Sequence, residues 1–438
     1  MQDKTSLLKP RLRSEPSKEV LRGSKVSILE CRTVQEIREK VSHTLMEYDH
    51  LLPESRDARI LLKPNLNSNM NALTGNTTDL RLLVAIIDFL KKQGYRNLIV
   101  GDGTSSGFYR SKINVAKRLR ISKVVEKFGV EFIDLNYEPS TEIDFENDVK
   151  ANIAKICIDA DFLINLPKMK THFEATMSVC LKNLIGCLTG LENKQKVHNS
   201  LYKNILHLAN EIRPDLQIVD ALIAMEGPGP SKGTPIRMDL ILIGEDPFLV
   251  DLVCAKLAGF NYKEVHPLRV AENLGLFTSE HIKYVDNLDI SRYVKRFKRP
   301  KVNPLVGFIN NQRWQKYFIG FRLAPGVNSI FNSRLVGRVL SFSGLRQDVF
   351  VMKDDETLGL SLVENKCDNC GVCSEYCPMA LNLPEDVGNA EKGCILCNYC
   401  YFVCPRKAIA LQGDLGFLKA QIKQYDEAIR EMVRRKES

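Results

Sequence analysis

Eight of the thirteen cysteines lie close together near the end of this 438-residue sequence. They form two copies of the pattern C-x₂-C-x₂-C-x₃-C-P. In bacterial ferredoxins, three cysteines of each copy bind one [4Fe–4S] cluster and the fourth ligates the other cluster. The sequence therefore predicts two clusters. The first would be held by Cys367, Cys370, Cys373 and Cys404, and the second by Cys394, Cys397, Cys400 and Cys377.

Structural zinc is the main alternative for these cysteines. Zinc needs four ligands, usually as two separated C-x₂-C pairs, and would not explain triplets followed by Cys-Pro. The remaining cysteines fit a buried, unreactive role better than a metal site. They are Cys31, Cys157, Cys180, Cys187 and Cys254.

The first two thirds of the chain alternate between strand-like and helix-like segments. Short apolar strands are predicted at 25–29, 59–62, 97–100, 131–135, 161–166, 217–219 and 239–243. An amphipathic helix is predicted from about Asp79 to Gln93, where Gly94 ends it. This alternation predicts an α/β fold with a mostly parallel sheet covered by helices, in which ligands bind beyond the carboxyl ends of the strands. The cysteine segment adds a small α+β, ferredoxin-like module.

Polar and charged residues follow several of these strands. If they converge, lysines and histidines would form a cationic pocket for a carboxylate or phosphate, with histidine as proton donor. The catalytic candidates are Lys168, Lys170, His172 and Lys182. The substrate-binding candidates are Lys63, Asn65, Asp102, Asn183, Lys194, His198 and Glu226. Asp102, Asp220 and Glu226 could instead hold a divalent cation. The alternative for each is a solvated loop end.

Several of these residues occur in ordered motifs: PKMKTH, LKNLIG and IVDALIAMEGPGPSKGTP, followed by Gly244-Glu245-Asp246-Pro247. From about Ser24 to Phe260 the chain resembles the family catalogued as domain of unknown function 362, whose members often carry a ferredoxin module. The resemblance implies an α/β fold and a redox setting, and it implies no substrate.

Charge is concentrated in one segment. From Arg292 to Arg346 there are twelve Lys/Arg and no Asp/Glu, which exceeds the net charge of +9 for the whole chain. Aromatic residues are interleaved with these charges, as in a docking surface for a redox protein of ferredoxin or flavodoxin type, or for an anionic membrane face. The segment could equally wrap the chain's own acidic cysteine module. It lacks a nucleic-acid recognition motif, so nucleic-acid binding is disfavoured.

The predicted domain organisation has five parts. They are a basic flexible arm (1–23), the α/β domain (24–291), a basic aromatic linker (292–350), the 2[4Fe–4S] module (351–413) and an amphipathic helix (414–438). The sequence shows neither a secretory signal nor an apolar run of spanning length, so we expect a cytoplasmic protein. Two functions fit: an oxidoreductase whose clusters exchange electrons with an anionic small molecule, or a non-catalytic electron carrier or assembly partner.

Overall fold

The structure is a computed structural model that describes residues 25–300, 350–353 and 357–434, without the side chains of Ser106, Thr357 and Leu358. The predicted basic arm lies outside the described residues. So does most of the predicted basic linker, of which residues 292–300 and 350 are described.

A nine-stranded sheet forms the centre of the α/β domain. Its strands are β1 (Val26–Glu30), β2 (Ile60–Pro64), β3 (Leu98–Asp102), β4 (Glu131–Asp134), β7 (Phe162–Leu166), β8 (Lys168–His172), β9 (Thr176–Ser178), β10 (Leu216–Glu226) and β11 (Thr234–Gly244). The main order is β1-β11-β10-β7-β2-β3-β4, with β8 pairing with β10 and β9 with β8. Strands β10, β7, β2, β3 and β4 run parallel, whereas β11 and β1 form an antiparallel edge. The predicted mostly parallel sheet is confirmed.

Two strands are much longer than the sequence predicted. Strands β10 and β11 each have eleven residues and pair as an antiparallel hairpin. The Gly- and Pro-rich segment 227–233 forms its connection, as expected for a shaped turn. A smaller antiparallel pair, β5 (Ser140–Asp144) with β6 (Lys150–Ala154), was not predicted.

Helices cover the sheet. In the described residues the α-helices are Val34–Glu47, Leu80–Lys92, Ser106–Arg110, Val115–Arg118, Ile121–Phe128, Ile156–Asp159, Cys180–Asn183, Gly190–Val197, Leu201–Ile212, Pro247–Leu257, His266–Asn273, Ser279–Asn287, Val372–Glu375, Tyr399–Val403 and Leu418–Arg434. The 3₁₀ turns are Asp49–Leu51, Ala72–Thr74, Glu146–Asp148, Leu184–Cys187, Tyr262–Glu264, Ser291–Tyr293 and Glu364–Lys366. Helix Leu80–Lys92 forms where it was predicted. Asp79 caps its start by accepting a hydrogen bond from Arg81 N.

The cysteine segment is enclosed by a two-stranded antiparallel sheet of β12 (Thr357–Leu362) and β13 (Ile409–Asp414). Helix Leu418–Arg434 then returns to the α/β domain. There Gln421 donates a hydrogen bond to Asn69 O (2.9 Å), and Tyr425 Oη donates one to Gly233 O (3.1 Å). Helix Leu418–Arg434 is thus held against the α/β domain by buried polar contacts.

Candidate functional site

A polar cavity lies where strands β2 and β3 end. Its volume is about 880 Å³ including its open mouth. Eight predicted residues line it: Asn65, Asp102, Lys170, His172, Lys182, Asn183, Lys194 and His198. Three others, Lys63, Lys168 and Glu226, lie outside the lining. The topology therefore gathers most of the predicted residues at one end of the sheet, as parallel strands should.

Lys63 lies behind the cavity wall, in an ion pair. Its Nζ is 2.6 Å from Asp102 Oδ1, and the two side chains are 0% and 3% exposed. Asp102 Oδ2 also accepts a hydrogen bond from Leu66 N. Gly186 packs directly on this pair, because an added Cβ would lie 2.2 Å from Asp102 Oδ1. Lys63 therefore fixes Asp102 and cannot reach a ligand at the rim, contrary to the prediction.

Lys168 is also sequestered. It begins β8 and is fully buried, with Nζ 2.8 Å from Asp220 Oδ2. The same carboxylate accepts a hydrogen bond from Asp79 N, at the cap of helix Leu80–Lys92. The expectation that Lys168 faces the ligand is not met, because the motif PKMKTH is itself a buried strand and not the loop after one.

Glu226 ends β10 and is not among the residues that line the cavity. Its carboxylate pairs with Lys298 (3.0 Å) and accepts a hydrogen bond from Lys298 N. Asp102, Asp220 and Glu226 therefore each pair with a different lysine. Among the described residues, no group of three or more His, Cys, Asp or Glu side chains could hold a single metal ion. A divalent cation stays an untested prediction.

Lys170 lines the cavity, but its ammonium group is already saturated. Nζ donates to Asn65 Oδ1 (2.9 Å), Asn67 Oδ1 (2.9 Å) and Asn76 O (2.6 Å). Burial, with Lys168 nearby, holds the pKa of Lys170 well below 10.5, whereas three acceptors require the protonated form. Lys170 therefore organises the asparagine loop and has no hydrogen left for a ligand.

Lys182 is the cavity lysine that makes no hydrogen bond or ion pair with any described residue. It is half-buried, and desolvation lowers its pKa, opposed by the charge of Glu174. Lys194 donates to Thr104 O (2.8 Å) and Asn136 Oδ1 (2.5 Å), and burial lowers its pKa to about 8. These two ammonium groups retain donor capacity for an anion.

The two cavity histidines have distinct orientations. His172 Nδ1 accepts hydrogen bonds from the backbone N–H of Glu174 and Ala175, which leaves Nε2 as the protonated nitrogen. Burial lowers the pKa of His172 well below 6.5, so its ring is a neutral donor. His198 Nδ1 donates to Lys194 O, and its Nε2 lies 3.7 Å from Glu174 Oε2. His198 Nε2 therefore faces the carboxylate of Glu174.

Sequence analysis missed several residues around this cavity. Glu174 approaches His198, and Asn67, Thr104 and Asn136 contact the lysines. Asn67 carried a readable signal, because asparagine recurs at every second position from 65 to 71. Glu174 and Asn136 carried none, since their neighbours come from distant parts of the chain.

The eight clustered cysteines line two further cavities, of about 330 Å³ each. Cys367, Cys370, Cys373 and Cys404 line one, and Cys377, Cys394, Cys397 and Cys400 line the other. Each cavity thus combines a triplet with the fourth cysteine of the other copy. Burial raises the pKa of Cys373 to about 11, and the charges of Cys404 and Cys370 add to the rise.

Comparison with known proteins bears on the α/β domain. Residues 60–256 match the family described as Domain of unknown function (DUF362). A curated relative from Synechocystis, named as a thylakoid-associated protein, is 30% identical over 230 residues, which are 50% of this chain and 68% of the relative. The chain belongs to this family. In this DUF362 protein, the matched residues include the polar cavity, and the cysteine segment lies outside them.

Solved structures give weaker likenesses. The lactate racemase apoprotein from Thermoanaerobacterium thermosaccharolyticum has a TM-score of 0.38 and 12% identity, over 53% of this chain and 56% of that one. A Thermotoga maritima protein has a TM-score of 0.28 and 11% identity, over 57% and 59%. This chain thus spans little more than half of either protein, and no functional conclusion rests on them.

No helix in the described ranges is both long and apolar enough to cross a lipid bilayer.

Proposed function

We propose that this DUF362 protein is an iron–sulfur redox protein. Its eight clustered cysteines hold two [4Fe–4S] clusters, which serve an anionic small-molecule site in the α/β domain. The observation that carries the proposal is the exchange of Cys377 and Cys404 between the two cysteine cavities. A ferredoxin-type pattern requires this exchange, whereas two independent zinc sites do not.

The chemistry of the two cavities suits iron–sulfur clusters. Four cysteines line each. Burial raises the pKa of Cys397, and the charges of the neighbouring cysteines add to the rise. Thiols in that state need a strongly cationic group to become thiolates, and metal binding supplies one. When bound, [4Fe–4S] clusters carry single electrons, which is the redox chemistry that this chain's side chains lack.

The polar cavity supplies the complementary half of the proposal. Lys182 and Lys194 offer hydrogen-bond donors to carboxylate or phosphate oxygens, and Asn183 extends the polar lining. His172 Nε2 offers a further hydrogen, while His198 Nε2 can take or release a proton beside Glu174. A small anion that exchanges protons as well as electrons fits these residues best.

Anaerobic reconstitution tests the clusters. The full chain should bind about eight iron and eight sulfide, as two cubanes require. Cys404→Ser should damage the cluster of Cys367, Cys370 and Cys373, although Cys404 belongs to the other copy. Cys254→Ser, at a buried cysteine outside both cavities, is the matched control and should keep all eight irons. Four irons in the wild type, or tetrahedral zinc by X-ray absorption, would refute the proposal.

Electron carriage to a partner protein is the second candidate function, and one observation favours it. Cys370 is exposed, beside exposed Asp368 and Asn369, so the first cysteine cavity opens toward solvent. An exposed cluster edge suits exchange with a redox protein of ferredoxin or flavodoxin type. Turnover of a small anion by the reduced protein would favour the enzyme, and partner reduction without turnover would favour the carrier.

Of the basic segment, the structure describes the first residues, 292–300, and the final residue, 350. There Lys298 pairs with Glu226 and Arg299 with Glu264, so this part packs on acids of the α/β domain. Residues 301–349 lie outside the described residues. Docking of a redox protein or an anionic membrane stays a prediction for them, supported by the name of the thylakoid-associated relative. Liposome flotation that weakens with rising salt would support membrane contact.

A further inference from the structure

One segment, residues 65–80, lines the polar cavity at its start and hydrogen-bonds to the second cysteine set at its end. We propose that it couples the two sites, so that an anion in the polar cavity changes the reduction potential of the cluster held by Cys377, Cys394, Cys397 and Cys400, and leaves the other cluster nearly unchanged. This inference rests on the proposed function. It adds which cluster senses the anion, and through which residues.

The start of the segment belongs to the polar cavity. Asn65 and Asn67 line that cavity, and their side-chain oxygens accept hydrogen bonds from Lys170 Nζ. Asn65 Nδ2 also donates to Asn183 Oδ1 (2.8 Å), on the opposite wall. An anion that displaces Asn183 therefore acts directly on Asn65.

The end of the segment belongs to the second cysteine site. Asn71 Nδ2 donates to Cys397 O (2.9 Å). Leu80 N donates to Tyr399 Oη (3.1 Å), between Cys397 and Cys400 in sequence. Among the described residues, Cys367, Cys370, Cys373 and Cys404 make no hydrogen bond with residues 65–80. The asymmetry between the two cysteine sites is the basis of the inference.

The middle of the segment can transmit a displacement because it is rigid. Every residue from 65 to 80 is buried except Asn67. Asn71 Oδ1 caps the 3₁₀ turn Ala72–Thr74 by accepting from Leu73 N, and Thr77 Oγ1 donates to Met70 O. A buried, internally hydrogen-bonded segment moves as a unit, so displacement at Asn67 reaches Asn71.

The sign of the coupling follows from charge. Reduction adds one negative charge to the cluster, so a bound anion favours the oxidised form and lowers the potential. By linkage, the oxidised protein then binds the anion more tightly by the same factor. Coupling between linked sites is typically about fivefold to 150-fold. A tenfold difference corresponds to about 59 mV for a one-electron couple.

An EPR-monitored redox titration of the reconstituted full chain, with and without inorganic phosphate, tests this. Cys373→Ser and Cys400→Ser variants assign the signals to the two clusters. We expect the second cluster to shift down by about 59 mV and the first by less than about 15 mV, a tenfold and a twofold effect on affinity. Equal shifts, or a larger shift of the first cluster, would overturn the inference.

Two variants test the route. Asn71→Ala removes the hydrogen bond to Cys397 O, while Arg120→Gln removes one to Leu396 O (3.0 Å) from outside the segment. Asn71→Ala should lose at least half of the phosphate-induced shift, and Arg120→Gln should keep it. A full shift in Asn71→Ala would exclude this route. Failure of the proposed function is distinguishable, because the wild type would then lack eight irons or show no thermal stabilisation by phosphate.

Discussion

Lys182→Met isolates the contribution of the cavity's uncommitted ammonium group. Lys182 makes no hydrogen bond or ion pair with any described residue, so its removal leaves no described partner behind. Burial lowers its pKa, which means that the charged form costs folding free energy at pH values below its folded-state pKa. The variant should therefore unfold within about 1 kcal/mol of the wild type at pH 7. Its loss should appear in anion binding.

The size of that loss follows from the bond removed. A hydrogen bond to a charged group contributes about 1.5–3 kcal/mol. Because about 1.4 kcal/mol is a factor of ten, Lys182→Met should bind phosphate roughly 10- to 100-fold more weakly. In a thermal shift assay, the phosphate-induced rise in melting temperature should fall by about half or more at concentrations that saturate the wild type.

Lys168→Met is the matched control, since it replaces a lysine on a wall-forming strand that does not reach the cavity. The substitution leaves the buried carboxylate of Asp220 without its cationic partner, which should lower the free energy of unfolding by about 3–5 kcal/mol. Phosphate should still stabilise whatever fraction folds. Isothermal titration calorimetry provides the affinities. Phosphate affinity within twofold of wild type in Lys182→Met would refute the role assigned to this lysine.

Two further perturbations probe the same cavity. Burial lowers the pKa of Lys194 from 10.5 to about 8. Sulfate, whose own charge is constant in this range, should therefore bind more weakly as the pH rises from 7 to 9. Calorimetry should find this pH dependence reduced in Lys194→Met. Gly186→Ala places a Cβ 2.2 Å from Asp102 Oδ1 and should cost about 1–3 kcal/mol in urea unfolding, whereas Gly359→Ala, with 3.4 Å to its nearest neighbour, should cost less than about 1 kcal/mol. Equal destabilisation by the two substitutions would contradict the tight packing at Gly186.

Local signals predicted some elements closely. Helix Leu80–Lys92 was found because Asp79 caps it and its apolar residues recur at helical spacing. Strand β8 was not predicted, because PKMKTH follows the predicted strand 161–166 and its polar residues were placed beyond that strand's end. Only the tertiary structure supplies the acids and asparagines that allow Lys168 and Lys170 to be buried. Whether a lysine can be buried depends on partners from distant parts of the chain, and the local sequence does not show them.

The candidate site was likewise predicted in part from local signals, while the remainder depended on tertiary contacts. Strand ends predicted which loops meet, and eight of the candidate residues do line one cavity. The sequence could not show that Lys182 has an ammonium group available for a ligand, whereas Lys63 is committed to an ion pair with Asp102. The grouping of cysteines into two cavities agrees with the spacing-based prediction, and cluster binding itself stays a prediction.

The returning C-terminal helix has a consequence for the order of synthesis. Gln421 contacts Asn69 and Asn71, and the contact with Asn71 spans 350 positions along the chain. On the ribosome, the α/β domain emerges before these partners exist, and the cysteines emerge before the helix that follows them. The helix can therefore dock only after its own residues have been translated. Until then, the cysteines and the loop beside them lack its contacts, so the proposed cluster assembly would have an interval before the helix docks.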